Sequence, residues 1–165
     1  MTDVALVVGY GNVLRSDDGV GWQVADILTD DARVAGATVL RCHQLTPELA
    51  LDISRASVVV LVDAQHGPEP GTFVVGRVEQ VGDAASTWSH HLDPESLVGL
   101  AVQLYGRAPA VYTVGVGVAS LEAGDRLSPA VEAALPGIVE AVVAIIGGPA
   151  APAEAGDDVE LLSRA

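Results

Sequence analysis

Residues 4–21 read VALVVGYGNVLRSDDGVG, and this stretch decides most of the expected fold. It begins with five apolar residues in a row, which predicts a buried β-strand from Val4 to Val8, because strands covered on both faces lack alternation. A loop with Gly9 and Gly11 follows, and apolar residues at helical spacing then predict a helix from Asp18 to Leu28. A strand, a glycine loop and a helix in this order are typical of the first unit of an α/β fold.

Short apolar runs and helical patterns alternate along the rest of the chain. They predict further strands at residues 38–42, 58–62, 72–78 and 110–118, and helices at residues 47–53, 94–104 and 128–146. The strand at 72–78 follows its predecessor after a turn too short for a crossover helix, so we expect it to be an antiparallel edge strand. The other strands favour a mostly parallel twisted sheet covered by helices on both faces, and the fold class is therefore α/β.

A change in composition near the C-terminus sets the expected domain boundary. The length of 165 residues is typical of a single domain, and residues 1–147 carry the strand and helix patterns. Residues 148–165 are rich in glycine, proline, alanine and acidic residues. We therefore expect them to form an acidic tail outside the core that is prone to fraying.

Charge and composition exclude several classes of protein. Half of the residues are apolar and 18% are charged, which excludes a disordered chain. Eight basic residues, all arginine, stand against 22 acidic ones, and the net charge of −14 argues against nucleic acid and anionic membranes as partners. A single cysteine excludes an internal disulfide. We expect a cytoplasmic protein without membrane insertion, because no apolar run approaches the roughly 20 residues of a membrane span and the N-terminus lacks the basic region of a signal peptide.

The glycine loop raises the alternative of a nucleotide-binding module. Gly9 and Gly11 match the start of the dinucleotide fingerprint, but a leucine stands where its third glycine should be. Acidic residues at the start of the next helix would also repel a phosphate, so this alternative is the weaker one. An alternative function of Ser16, Asp17 or Asp18 is to cap that helix, and one of the paired acids can do so while the other faces the cleft.

Chemically active side chains follow the predicted strands. Asp18 comes after the first strand, and Asp63 directly follows the strand at residues 58–62. His90 and His91 precede a helix, and one of these adjacent side chains is expected to face the cleft. Because ligands collect at the carboxyl ends of parallel strands, we expect these groups to share one edge of the sheet. Two carboxylates and an imidazole suit nickel, zinc or iron with open coordination positions.

Other interpretations of the same residues stay open. Asp63 could be a turn aspartate, and the histidines could lie on the surface. Asp18 and Asp63 could instead share a proton, as the carboxylates of aspartic proteases do, if they lie close together. A serine nucleophile is not supported because the G-x-S-x-G elbow is absent, and Cys42 is more typical of a small buried residue than of a catalytic thiol.

The sequence as a whole resembles one known family. Residues 9–21 match the G-x-G-N-x-L-x-x-D-(D/E)-G-x-G signature of [NiFe]-hydrogenase maturation endopeptidases. V-D-A at residues 62–64 and S-H-x-L at residues 89–92 occur in that family's order, and the resemblance extends over the core from about Val4 to Ile146. The chain departs from the family at residues 41–46, where many members carry a Gly-Thr or Gly-Gly segment. That departure bears on which hydrogenase is recognised.

The resemblance implies a fold, an activity and a set of site residues. The fold would be a three-layer α/β/α sandwich. The activity would be that of an endopeptidase that removes the C-terminal extension of a [NiFe]-hydrogenase large-subunit precursor after nickel insertion. The family's metal-contacting residues fall on Asp18, Asp63 and His90, and His90 is preferred over His91 because the leucines that follow it match. Cadmium or zinc could substitute for nickel in vitro.

The chemistry of these residues agrees with such a role. A precursor's nickel site offers cysteine thiolates, and nickel accepts additional oxygen and nitrogen ligands in open positions. We therefore expect Asp18, Asp63 and His90 to bind the nickel of the substrate rather than a resident ion. The metal would polarise the scissile carbonyl or a water, and Asp18 or Asp63 would act as general base. A non-catalytic metal-binding assembly protein with the same fold is the remaining alternative.

Overall fold

A computed structural model describes residues 4–80 and 92–148, and this part of the chain forms five strands and four α-helices. The strands are β1 (Val4–Tyr10), β2 (Thr38–Cys42), β3 (Ala56–Gln65), β4 (Phe73–Arg77) and β5 (Ala110–Gly117). The helices are α1 (Val20–Thr29), α2 (Leu49–Arg55), α3 (Pro94–Tyr105) and α4 (Pro129–Gly147), with turns of 3-10 helix at Ser16–Gly19 and Ala32–Val34.

The strands form one sheet in the order β2-β1-β3-β5-β4. β1 pairs in parallel with β2 and with β3, and β3 pairs in parallel with β5. β4 lies at the edge and pairs antiparallel with β5, as predicted for residues 72–78. The mostly parallel α/β sheet is therefore confirmed. Residues 149–165 of the expected tail lie outside the described residues, so the domain boundary stays a prediction.

Two apolar clusters cover the two faces of the sheet. On one face, called the α2/α3 face below, alternate strand residues pack against α2 and α3, and the buried members include Leu6, Val8, Ile53, Val59, Leu61, Leu97 and Val98. On the other face the intervening strand residues pack against α1 and α4, and the buried members include Val7, Val24, Val60, Val62, Val114 and Ile138. Burial on both faces is the reason why the strands read as apolar throughout. The result is the expected three-layer sandwich.

The first helix begins differently from the prediction. A turn of 3-10 helix at Ser16–Gly19 contains Asp18, and α1 starts only at Val20. Its N-cap is Gly19, and no side chain caps the helix. The alternative of capping by Ser16, Asp17 or Asp18 is therefore wrong, because the side chains of this turn bond to partners outside the helix.

The third strand runs past its predicted end. β3 continues to Gln65, so Asp63 lies inside the strand and is not a turn residue. The cause is pairing with β5, in which Asp63 lies opposite Gly115 and Gln65 opposite Gly117. The local sequence did not predict this extension, because the polar residues at the end of β3 belong to the strand only through their pairing with β5.

Backbone contacts explain the glycines of the first motif. A Cβ atom on Gly9 would lie 1.9 Å from the carbonyl oxygen of Gly21, and a Cβ on Gly21 would lie 2.5 Å from that of Val62. Gly11 has φ +136° and would place a Cβ 2.1 Å from the carbonyl oxygen of Asp18. Only glycine tolerates such approaches. The motif is therefore accounted for by packing, which removes the feature that favoured a nucleotide-binding module.

Helix α4 is the one element among the described residues that is long and apolar enough to cross a membrane, by length and composition only. Core helices pass the same test. Val131, Ile138, Val139 and Val142 of α4 are buried in the cluster that also contains α1. One side of α4 therefore packs against the rest of the domain, and the absence of membrane insertion stays a prediction.

Replacing Gly9 by alanine tests the contact between β1 and α1. Gly9→Ala is expected to lower the free energy of unfolding by at least about 2 kcal/mol, because the methyl group meets backbone that cannot move independently. Gly36→Ala is the control, since a Cβ there meets nothing within 4 Å, and its effect should stay within about 0.5 kcal/mol. Urea unfolding measures both, and equal stabilities of the two variants would contradict the contact.

Candidate active site

The strand register places Tyr10, Asp63 and Cys42 side by side at the carboxyl ends of three strands. Tyr10 pairs with Cys42, and the pairing of Gly9 with Val62 sets Tyr10 next to Asp63. Tyr10 and Cys42 pack against the cluster on the α2/α3 face. Asp63 follows Val59 and Leu61 of that cluster at the alternate spacing of a strand, so its side chain points to the same face.

Asp63 is a half-buried carboxylate with two hydrogen-bond donors. The backbone N–H of Ala64 donates to its Oδ1 at 2.7 Å, and the Tyr10 hydroxyl donates a further hydrogen bond. Burial raises the pKa of Asp63 to about 7; the Ala64 amide and the Tyr10 hydroxyl oppose that rise, and the charge of Asp18 adds to it. A carboxyl group with this pKa can both release and accept a proton at neutral pH.

Tyr10 keeps its proton across the ordinary pH range. Burial raises the pKa of its hydroxyl, and the charge of Asp63 and the hydrogen bond to Asp63 raise it further. The hydroxyl therefore acts as a permanent donor to Asp63.

Asp18 is the second carboxylate at this end of the sheet. Its Oδ2 accepts a hydrogen bond from the backbone N–H of Asn12 at 2.8 Å, and the residue is partly exposed. Because the charge of Asp18 contributes to the raised pKa of Asp63, the two groups repel each other across the site. The structure thus brings Asp18 and Asp63 into one electrostatic environment, while their chemical roles stay predictions.

Asp17, the neighbour of Asp18, has a different function. It is 0% exposed and accepts hydrogen bonds from the backbone N–H groups of Ala119 (2.8 Å), Ser120 (3.1 Å) and Ser128 (2.6 Å) and from the Ser128 hydroxyl (2.9 Å). Burial raises the pKa of Asp17, but these hydrogen bonds outweigh it, so the pKa lies below its ordinary value. Asp17 is therefore a structural anion that joins the first loop to the segment before α4.

Further hydrogen bonds hold the same loop in place. The backbone N–H of Ser16 donates to the carbonyl oxygen of Gly124 at 2.9 Å, and the N–H of Gly124 donates to that of Leu14 at 3.0 Å. The Ser16 hydroxyl donates to the carbonyl oxygen of Glu122 at 2.8 Å. The loop that carries Asp18 is thus anchored at Leu14, Ser16 and Asp17.

The predicted histidine ligand cannot be placed. His90 and the alternative His91 lie outside the described residues. Leu92, just beyond them, packs against the cluster on the α2/α3 face, and the charge of Glu95 contributes to the raised pKa of Tyr10. Within residues 4–80 and 92–148 no group of three metal-binding side chains occurs, so a three-ligand site stays a prediction.

Sequence reasoning missed Tyr10 and Gln65 as residues of this region. Tyr10 follows Leu6 and Val8 at alternate spacing, which is a signal that it shares their face. Gln65 follows Asp63 at the same spacing, but this spacing places both side chains on one face only because β3 extends to Gln65. Both residues could have been found by aligning the strand ends, once the strand order was known.

Comparisons with known proteins point to one family. A family model described as hydrogenase maturation protease (HycI) matches residues 39–145. The chain is 29% identical over 161 residues to the hydrogenase 2 maturation protease of Escherichia coli, with 91% of this chain and 96% of that protein covered.

Two solved structures resemble the fold. The crystal structure of a [NiFe] hydrogenase maturation protease HycI from Thermococcus kodakarensis matches with a TM-score of 0.70 at 23% identity, over 88% of this chain and 93% of that chain. A hydrogenase 2 maturation peptidase from a Thaumarchaeota archaeon matches with a TM-score of 0.66 at 26% identity, over 88% of this chain and 99% of that chain. At 23% identity the first match is a likeness of fold alone.

Exchanging each of the adjacent acids tests their different functions. Asp17→Ala should lower the free energy of unfolding by about 3 kcal/mol, because it removes a buried carboxylate that accepts hydrogen bonds from Ser128, Ala119 and Ser120. Asp18→Ala loses a hydrogen bond from Asn12 and should cost less than about 1 kcal/mol. Urea unfolding measures the free energy of unfolding of both variants. A larger loss of stability in Asp18→Ala than in Asp17→Ala would contradict the structural function assigned to Asp17.

The raised pKa of Asp63 predicts a dependence of stability on pH. The pKa of Asp63 in the folded state, about 7, lies above the ordinary value of a carboxyl group. At pH values between these two pKa values the folded state binds more protons than the unfolded state, so the stability of the protein falls as the pH rises toward 7. Asp63→Asn removes this effect, so its stability relative to wild type should increase by about 1–3 kcal/mol from about pH 5 to about pH 8. Asp52→Asn, at an exposed site on α2, should show no such trend. A difference between Asp63→Asn and wild type that does not vary with pH would argue against the shift.

Proposed function

The chain belongs to the hydrogenase maturation protease family, and we propose that it removes the C-terminal extension of a [NiFe]-hydrogenase large-subunit precursor after nickel insertion. It is accordingly a peptidase. The observation that carries the finer proposal is the pair formed by Asp18 and Asp63, one carboxylate raising the pKa of the other at the carboxyl ends of the central strands. That is where an α/β sheet binds its ligand.

The same repulsion supports recognition of a cation. A carboxylate whose ionisation is opposed by a second carboxylate nearby, as that of Asp63 is by Asp18, gains more from a shared cation than an isolated carboxylate does. The nickel of the precursor is part of the substrate and brings cysteine thiolates with it, so oxygen and nitrogen ligands from the protease can occupy its open positions. We propose Asp18, Asp63 and His90 as these ligands, with His91 as the alternative to His90.

We further propose Asp63 as the general base. With a pKa of about 7 it can take a proton from a water whose oxygen adds to the scissile carbonyl carbon, and return it to the amine as the C–N bond breaks. Tyr10 supports this role because its hydroxyl donates to the Asp63 carboxylate. Asp63 acts as the base with the carboxylate oxygen that is not bound to the metal, and Asp18, on the anchored loop, serves as a metal ligand alone.

The partner and the location follow from the same proposal. The partner is the precursor and not a nucleic acid, because the net charge of −14 repels phosphates. A cytoplasmic location without membrane insertion agrees with the packing of α4 against the sheet. The departure at residues 41–46 leaves the choice of hydrogenase to be found by testing precursors.

Incubation with nickel-loaded and nickel-free precursor tests the function. Wild-type protein should shorten only the loaded precursor, which electrophoresis and mass spectrometry detect. Asp18→Asn and Asp63→Asn should each slow the cleavage by at least about 100-fold, as expected for loss of a metal contact or a base. Asp52→Asn is the matched control and should cleave at the wild-type rate.

Other outcomes discriminate between the components of the proposal. Equal cleavage of both precursors would contradict nickel recognition. Tight binding of the precursor without cleavage would favour the non-catalytic assembly protein. His90→Ala and His91→Ala, assayed in parallel, identify the histidine, because only the ligand's replacement should abolish the preference for loaded precursor.

A further inference from the structure

Gln65 lies next to Asp63 on the floor of the candidate site. It is two residues further along β3, so both side chains point to the α2/α3 face. The Gln65 side chain turns toward β5, because a Cβ on Gly115 would lie 2.0 Å from its Oε1 and 2.9 Å from its Cδ. Gly115 is the strand partner of Asp63. The amide of Gln65 therefore lies beside the Asp63 side chain, above the neighbouring strand.

Residues of the two neighbouring strands and of the turn after β3 surround the Gln65 amide. Tyr10 lies on the opposite side of Asp63, on β1. Beyond Gly115, the next residue of β5 on this face is Gly117, and a Cβ there would lie 2.2 Å from the carbonyl oxygen of Glu69. The turn after β3 therefore covers the sheet at this end of the candidate site. Between that turn and Asp63, the residues of β5 on this face are glycines, and the side-chain amide of the exposed Gln65 is the polar group.

An amide at this place matches the chemistry of a peptide backbone. Its Nε2–H groups donate and its Oε1 accepts, which is the complement of a peptide C=O and N–H. A segment that presents its scissile carbonyl to a water on Asp63 must pass within reach of the adjacent amide. The Gln65 side chain occupies the space above Gly115, and the backbone of Glu69 occupies the space above Gly117, so a bound backbone at this end of the site would meet the Gln65 amide.

We propose that Gln65 binds the backbone of the precursor next to the scissile bond, with Gly115 required to hold the amide in place. The inference rests on the proposed function and adds a residue that positions the extended substrate segment. Because the contact is made in the bound substrate as well as in the transition state, its loss should weaken binding more than it slows the chemical step.

Two single variants and their combination test the pair. Gln65→Ala removes the amide, and Gly115→Ala displaces it, since the obstructing atom is the end of a flexible side chain. Each should raise KM for nickel-loaded precursor by about 3- to 10-fold, the usual effect of one lost hydrogen bond, and leave kcat within about twofold. The double variant should be no worse than either single variant, because both remove one interaction.

Gln103→Ala, at an exposed position on α3, is the matched control and should leave KM unchanged. The Kd of every variant for the loaded precursor is measured alongside cleavage, and circular dichroism verifies folding. Unchanged KM and Kd in Gln65→Ala would overturn the assignment while wild-type cleavage still supported the proposed function. If the wild type binds without cleaving, the proposed function fails and Kd alone decides about Gln65. Additive effects of Gln65→Ala and Gly115→Ala on KM would overturn the proposal that Gly115 is required to hold the amide in place.

Discussion

The backbone contact between β1 and α1 is the constraint on which the site depends. Gly9 and Gly21 let the helix approach the strand so closely that any side chain on Gly9 would meet a carbonyl oxygen at 1.9 Å. The loop between the two elements is therefore compact and returns directly over the end of the sheet. Gly11, with φ +136°, lets the chain turn back there against the carbonyl of Asp18. Without these glycines the helix would move outward and carry Asp18 away from the strand ends.

Asp17 and Asp63 differ in their ionisation because their surroundings differ. Asp17 accepts four hydrogen bonds and is held in the charged state, so it anchors the loop. Asp63, with fewer donors and with Asp18 nearby, is costly to ionise, and Asp18 contributes to that cost. The fold thus separates a carboxylate that stabilises structure from carboxylates whose charge is available for chemistry.

The central strands concentrate this chemistry in a small region. Tyr10 on β1 and Gln65 on β3 flank Asp63, and Gly115 on β5 leaves the space that the Gln65 amide occupies. In the proposed function, the repulsion between Asp18 and Asp63 favours a shared cation, which is the nickel of the substrate. In a chain of net charge −14, such a site also discriminates against anionic ligands.

The sequence by itself determined the fold class, the order of elements and the antiparallel edge strand, because apolar periodicity and turn residues are local properties. It also named Asp18 and Asp63 as candidates, through their positions after strands. It could not distinguish the functions of Asp17 and Asp18, which are neighbours of the same type. Tertiary structure decided this, through donors about a hundred residues away in Ala119, Ser120 and Ser128. The place of Tyr10 and Gln65 beside Asp63 was likewise decided by the strand order, since pairing between distant segments depends on packing and is not written in any local pattern.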